Sequence, residues 1–371
     1  MRGRMAEEGI DLLVAASNGL HTLDRADAVV YLVDYRSVGE SILLLDRDSV
    51  KLIVSPAADS ERVAARYIAS APIATDDLVS VLETQLSKRK IALGCVAIAG
   101  IDSLPYRLAE RLLALVGREA RAFDNILYAI HGCKTGTEID RAKRATAIAE
   151  KGFDRLFNLA HIGMTECQLA VELNCYTKSL GADDNFLMLN ASPHSAAVMP
   201  SSARAIARGD VLLVEFTPCF DGQFSQICRT LSIGEPRSEL QQNYDLVVRA
   251  MWAGIEAVRP GIPVSQVCRA IDRVMEAAGY AEYCRPPHMR RRGHGLGCGS
   301  IAPGDIATDN QTILEENMFF VVHPNQYIPE VGYLLCGEPV RVTATGVETL
   351  SSHTAALGIV AAGQTGFAPC A

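Results

Sequence analysis

The chain has 371 residues, 49% hydrophobic and 21% charged, enough to bury the cores of two domains. Its formal net charge of −8 argues against a duplex nucleic-acid partner, which would need a basic field. No stretch approaches the roughly 18 apolar residues that a bilayer span requires, so no membrane partner is expected either.

Eleven cysteines without CxxC spacing form neither a legible zinc knuckle nor a disulfide framework, and are expected as small buried hydrophobes in a reducing compartment. The opening "MRGRMAEEGIDLLV" is interrupted by acids before any apolar stretch of signal-peptide length, and a cytoplasmic location is expected.

In chain order, "RMAEEGI" predicts a short helix, and "DLLVAA", "DAVVYLV", "ESILLLDRD" and "VKLIVSP" predict strands. "DSERVAARYIA", "TDDLVSVLETQLSKR" and "SLPYRLAERLLALVG" predict helices, with "KIALGCVAIA" a strand among them. Short apolar strands alternating with amphipathic helices indicate an α/β domain over residues 1–130.

The pattern changes from residue 131 onward. "TGTEIDRAKRATAIAEKGFDRLFNLA" reads as one long amphipathic helix with Thr137 as N-cap and Ile139, Ala142 and Ala149 on one face. "TECQLAVELNCYTKSLG", "QNYDLVVRAMWAGIEAVRPG" and "PVSQVCRAIDRVMEAAG" predict three further helices, each ended by glycine. Between them "NFLMLNAS", "DVLLVEF", "QICRTLSIG", "ENMFFVVHPNQYIP" and "GEPVRVTATGVETLS" predict strands. The expectation for residues 131–371 is an α+β layer, one sheet with helices on one side.

Several polar residues sit where these elements want apolar ones: Glu215, Gln226, Arg229, Arg290, Arg291, Arg292, His294, His323 and Glu338. Glu215 interrupts the strand "VLLVEF"; a carboxylate there lies on an exposed strand edge or is paired, because burying it alone costs several kcal/mol. His323 ends an apolar strand just before a proline. His294 lies in "GHGLGCG", whose glycines let a ligand approach the backbone. That glycine pattern follows no clear strand and has no acidic residue at ribose distance, so it is not a dinucleotide fingerprint. The run "RPPHMRRRGHG" reads as a local anion pocket or a solvated loop.

The segments "RAIARGDVLLVEFTPCFDGQFSQICRTLSIG", "RRRGHGLG", "LEENMFFVVHPNQYIPEVGYLL" and "PVRVTATGVETLS", in this order, resemble the creatinase, prolidase and methionine aminopeptidase family. The resemblance covers nearly the whole chain. It implies a pita-bread catalytic domain of α+β class preceded by a smaller α/β creatinase-type domain.

Metallopeptidases of that family hold two divalent metals with two aspartates, a histidine and two glutamates. Carried over, the first aspartate position is Glu215, the second is Gln226, the histidine is His294, the first glutamate is His323, and the second falls on Gly337 beside Glu338. A second, substrate-handling histidine aligns with Met199, His194 stands where an asparagine is usual, and Ile301 replaces another histidine. Two adjacent cations need several anionic oxygens around them, so a dinuclear centre is not expected here, and no cofactor is.

The resemblance then points to a metal-independent hydrolase, similar in kind to creatinase or ectoine hydrolase. It would cleave a C–N bond in a small anionic nitrogen compound. His294, Glu215 and His323 would be catalytic, with Gln226, Arg229, Arg290, Arg292, His194 and Glu338 binding substrate. Creatinase-like enzymes are homodimers whose N-terminal domain leans over the partner's active site, and Tyr35 and Arg36 stand where such a contribution would come from. The alternatives are a lyase or isomerase on the same scaffold, a hydrolase with one metal on Glu215, His294 and His323, and a non-catalytic binding protein.

Overall fold

The apolar run after the first helix becomes strand β1 (Leu12–Ser17), buried along its whole length. It can be buried on both faces because it lies inside a sheet with helices around it. This computed structural model describes residues 1–66, 71–89 and 95–361. The chain divides into two units, Met1–His131 and Gly132–Ala371.

In the first unit the other strands are β2 (Ser41–Asp46), β3 (Val50–Val54), β4 (Ile73–Ala74), β5 (Val96–Ala99) and β6 (Arg121–Ala122), in the order β4-β3-β2-β1-β5-β6. β1 runs antiparallel to β2 and parallel to β5. The helices are α1 (Arg2–Glu7), α2 (Ala28–Val33), α3 (Ser60–Arg66), α4 (Leu78–Ser87), α5 (Tyr106–Val116) and α6 (Asp124–Gly132).

One expectation fails here. "DAVVYLV" is helix α2 and not a strand. The Asp27 carboxylate accepts from the backbone N–H groups of Val29 and Val30, each at 2.9 Å, and this cap starts a helical turn. Ala28, Val29 and Val30 remain buried, so the apolar content that suggests a strand serves a short helix equally well. The end of "DSERVAARYIA" (67–69) and the start of "KIALGCVAIA" (90–94) lie outside the described residues.

The second unit holds helices α7 (Gly136–Leu159), α8 (Glu166–Ser179), α9 (Ser238–Ala257) and α10 (Val264–Ala277). Thr135, not Thr137, caps α7. Its hydroxyl accepts from the Glu138 N–H while the Glu138 carboxylate accepts from the Thr135 N–H, a reciprocal pair that needs a three-residue spacing. α9 and α10 pack closely because Gly254 has no side chain; a Cβ there would stand 2.5 Å from Ile271 Cγ1.

The strands are β7 (Asp184–Ser192), β8 (Val211–Phe220), β9 (Gln223–Phe224), β10 (Ile227–Ile233), β11 (Gly293–Gly295), β12 (Phe319–Val322), β13 (Gln326–Ile328), β14 (Gly332–Leu334), β15 (Glu338–Val342), β16 (Val347–Thr349) and β17 (Gly358–Val360). The single expected sheet is resolved into separate ones: β17-β10-β8-β7 with β9 beside β8, β11-β12-β15-β16, and the pair β13-β14. Among the described residues the first two meet at one bridge, Cys228 opposite Gly337. Strand twist accounts for the break, since a long sheet that keeps twisting splits before it lengthens. That junction is where the unusual polar residues converge. Among the described residues no helix is long and apolar enough to cross a membrane.

Candidate active site

Glu215 lies on β8, opposite Met188 of β7 and Cys228 of β10. Side chains alternate faces along a strand. Glu215 therefore faces the same way as Thr217 and Cys228, while its neighbours Val214 and Phe216 turn into the core under α7. The carboxylate is only 8% exposed and accepts from Asn325 Nδ2 at 3.2 Å. Burial raises its pKa, against the lowering effects of the Asn325 bond and the Arg291 charge.

The second sheet supplies the histidines. His294 pairs with Val321 across β11 and β12, and His323, two residues past Val321, falls on the same face. Their rings meet edge to face, with centroids 5.3 Å apart and planes at 70°. His294 Nδ1 lies 3.1 Å from the Gly295 carbonyl, which can only accept, so Nδ1 carries the proton and Nε2 is the basic nitrogen of the neutral ring. Burial holds the His323 pKa well below its ordinary value, reinforced by His294 and the Arg291 charge, so His323 is neutral at pH 7.

Four buried polar atoms near the junction have no hydrogen-bond partner among the described residues: Gln226 Oε1, Thr217 Oγ1, Asn325 Oδ1 and His323 Nδ1. Gln226 precedes Cys228 by two residues, so it shares the Glu215 side of the hairpin. Such orphans are uncommon in folded proteins and mark a place where a ligand or water completes the bonding. With the Glu215 carboxylate they make a lining rich in acceptors. A substrate presenting N–H groups matches it.

Thr217, Asn325 and the neighbouring Tyr333, whose phenol is pushed up by burial and by Glu215, escape the sequence reading. Asn325 leaves a trace, an asparagine at positive φ directly after "HP". Thr217 could have been found from its spacing of two from Glu215.

Other expected site residues lie elsewhere. Arg229 and Glu338 form a buried ion pair with each other, and Arg229 also donates to the carbonyls of Cys228 and Gly337. Alternation explains this: Arg229 is one residue past Cys228 and Glu338 one past Gly337, so both turn away from the cleft. Arg292 is fully buried against Asp272, and Arg290 is exposed on a neighbouring loop. His194 donates from Nε2 to the Pro329 carbonyl at 2.9 Å. Met199 is largely exposed and Ile301 is buried. Tyr35 and Arg36, expected at a partner subunit's pocket, belong to the first unit of this chain, as that expectation requires. There Tyr35 is buried, donates to Asp59 at 2.8 Å and lies under the Arg62 guanidinium, and the Arg36 carbonyl accepts from Arg62.

The donor set does not fit a two-metal centre. Among the described residues no group of three or more His, Cys, Asp or Glu side chains comes together around a point that could hold an ion. Gln226 is neutral, and Gly337 has no room for a ligand: a Cβ there would stand 2.7 Å from His323 Cβ and 3.1 Å from Cys228 Sγ. The histidine at 323 and the glycine at 337 are therefore coupled by sterics. Gly337→Glu is expected to destabilise the fold by about 1–3 kcal/mol, the usual cost of overpacking, without creating a metal site. Urea unfolding together with metal analysis of the variant checks both parts.

A model of the Metallopeptidase family M24 matches residues 140–347. An uncharacterized peptidase of Staphylococcus aureus (strain USA300) is 25% identical over 338 residues, covering 88% of this chain and 92% of the relative. The crystal structure of an X-Pro aminopeptidase from Thermotoga maritima superposes with a TM-score of 0.84 at 22% identity, over 97% of this chain and 98% of that one. A prolidase from Pyrococcus horikoshii gives 0.81 at 22% identity, over 95% and 96%.

Proposed function

The chain belongs to metallopeptidase family M24, with an α+β pita-bread domain behind an α/β domain, and we propose that it hydrolyses a C–N bond in a small carboxylate-bearing nitrogen compound without using a metal. The observation that carries this reading is the set of buried polar atoms without partners around Glu215, beside a histidine whose Nε2 is the basic nitrogen.

In this mechanism His294 Nε2 takes a proton from water as the water attacks the carbon of the C–N bond. Glu215, Gln226 and Thr217 accept hydrogen bonds from the substrate's N–H groups. The His294 imidazolium then passes that proton to the departing nitrogen as the C–N bond breaks, while the Glu215 carboxylate, its pKa raised by burial, stays a hydrogen-bond acceptor. His323 is neutral and gives a hydrogen bond as charge develops on the leaving group. Arg291, whose charge is felt at both Glu215 and His323 although its guanidinium pairs with Asp305, adds positive potential that favours a substrate carboxylate at a distance. The likeness to creatinase and ectoine hydrolase, narrower than the family itself, rests on these residues. Homodimerisation is part of the same proposal and is read directly from the mass in solution.

Family membership favours a second reading, a metal-dependent hydrolase with one cation on Glu215, His294 and His323. The donor set favours the metal-free reading, because these residues do not form a coordinating group.

The test is a substrate panel run in heavy-oxygen water. Guanidino acids, cyclic amidines, hydantoin-like rings and acylated amino acids are set against proline-containing dipeptides. The expected result is turnover of one of the small compounds with a solvent oxygen in the product. Turnover of the dipeptides at roughly 1 per second or more contradicts the proposal, and so does a product without solvent oxygen, which marks a lyase.

A further inference from the structure

The arginines that the sequence places beside His294 line a different cavity. It occupies about 610 Å³ between α10 and the loop 284–292, and none of Glu215, Gln226, His294 or His323 lines it. That volume is within the range of small-ligand sites. Its wall carries six arginines, Arg269, Arg273, Arg285, Arg290, Arg291 and Arg292, against three carboxylates, Asp272, Glu276 and Asp309.

Most of this positive charge is uncommitted. Arg292 holds Asp272, and Arg291 pairs with Asp305 at 3.0 Å. The Arg269 guanidinium reaches only the Thr308 carbonyl, at 3.5 Å. Among the described residues the guanidinium groups of Arg273, Arg285 and Arg290 have no ion-pair or hydrogen-bond partner. Gathering like charges around one concavity is unfavourable unless an anion neutralises them, and in a chain of net charge −8 it is a local exception. The wall adds a buried donor: Arg292 is fully buried, and its Nη2 lies 2.6 Å from Asp272 Oδ1 yet makes no hydrogen bond of acceptable angle.

We propose that this cavity binds a compact polyanion, a small molecule carrying several phosphate or carboxylate groups, at a site separate from the catalytic cleft. Planar guanidinium groups pair with both kinds of oxyanion through two parallel N–H bonds. The site is mechanically joined to the cleft through Arg292. Its Nη1 donates to the Pro324 carbonyl, and its own carbonyl accepts from the His323 N–H at 2.9 Å. The bound anion therefore acts on the segment that carries His323 and Asn325, and it modulates turnover without being consumed.

Titration calorimetry on the full chain with inorganic tripolyphosphate and with citrate tests this, and needs no substrate. The expected result is one site per chain for at least one probe, the tighter of the two identifying phosphate or carboxylate. The paired substitution Arg273→Ala, Arg285→Ala weakens binding roughly tenfold or more, while Arg208→Ala, an exposed arginine elsewhere, leaves it unchanged. The paired variant keeps its circular dichroism and its turnover in the absence of polyanion. Absence of binding by both probes overturns the proposal, as does equal binding to the paired variant or an equal loss in Arg208→Ala. Competition between polyanion and substrate, with turnover lost in the paired variant, also overturns it by making the cavity a substrate subsite.

Discussion

His294→Gln lowers turnover of the true substrate by roughly 10²- to 10⁴-fold, the range for loss of a general base, and leaves the fold intact. Glutamine keeps much of the volume and can still hydrogen-bond, but it has no basic nitrogen. His294 is placed for this role by β11, whose backbone pairs with β12, and by its Nδ1–H bond to Gly295. Gly295 must remain glycine for that arrangement, since a Cβ there would stand 1.8 Å from the Ile301 carbonyl oxygen. Loss of kcat with little change in KM, alongside a wild-type unfolding curve, identifies lost proton transfer. Near-wild-type kcat would remove His294 from the chemistry and leave Glu215, whose pKa is raised, as the base.

Arg292→Ala costs about 3–5 kcal/mol of stability, the scale for removing one partner of a buried ion pair. The side chain is fully buried and binds Asp272 through Nε at 2.8 Å and Gln326 Oε1 through Nη1 at 3.0 Å. Its removal strands the Asp272 carboxylate and two acceptors in the interior, and leaves a cavity. Urea unfolding measures the loss. Arg292→Ala combined with Asp272→Ala should cost less than the two single changes added together, because the double variant leaves no charge unpaired. Strict additivity would show that the pair contributes no coupling.

The four helices of the second unit and strands β7, β8 and β10 are legible because each run shows its own period. By contrast, "ENMFFVVHPNQYIP" and "GEPVRVTATGVETLS" each divide into two strands, and the short β9, β11, β14 and β17 show no period of their own. Glu215, His294 and His323 stand out because each is polar in a segment otherwise built of apolar residues or glycine. What lies beyond one strand is harder to read. Glu338 and Gly337 are neighbours in sequence, and only the Cys228–Gly337 bridge decides which of them faces the cleft. The arginine run gives no sign that Arg292 is spent on Asp272, twenty residues earlier on α10, or that Arg290 faces another cavity. In "DAVVYLV" the deciding feature is the aspartate ahead of the apolar residues, a helix cap that outweighs the strand propensity of valine.

The claim that this site hydrolyses its substrate without a metal is tested most directly by the metal content of active protein purified without chelator, measured before and after dialysis against one. The account predicts substoichiometric zinc, manganese, iron and cobalt throughout, with activity unchanged by dialysis. One metal ion per chain, lost together with activity and restored with it, would contradict the account and assign Glu215, His294 and His323 to a metal.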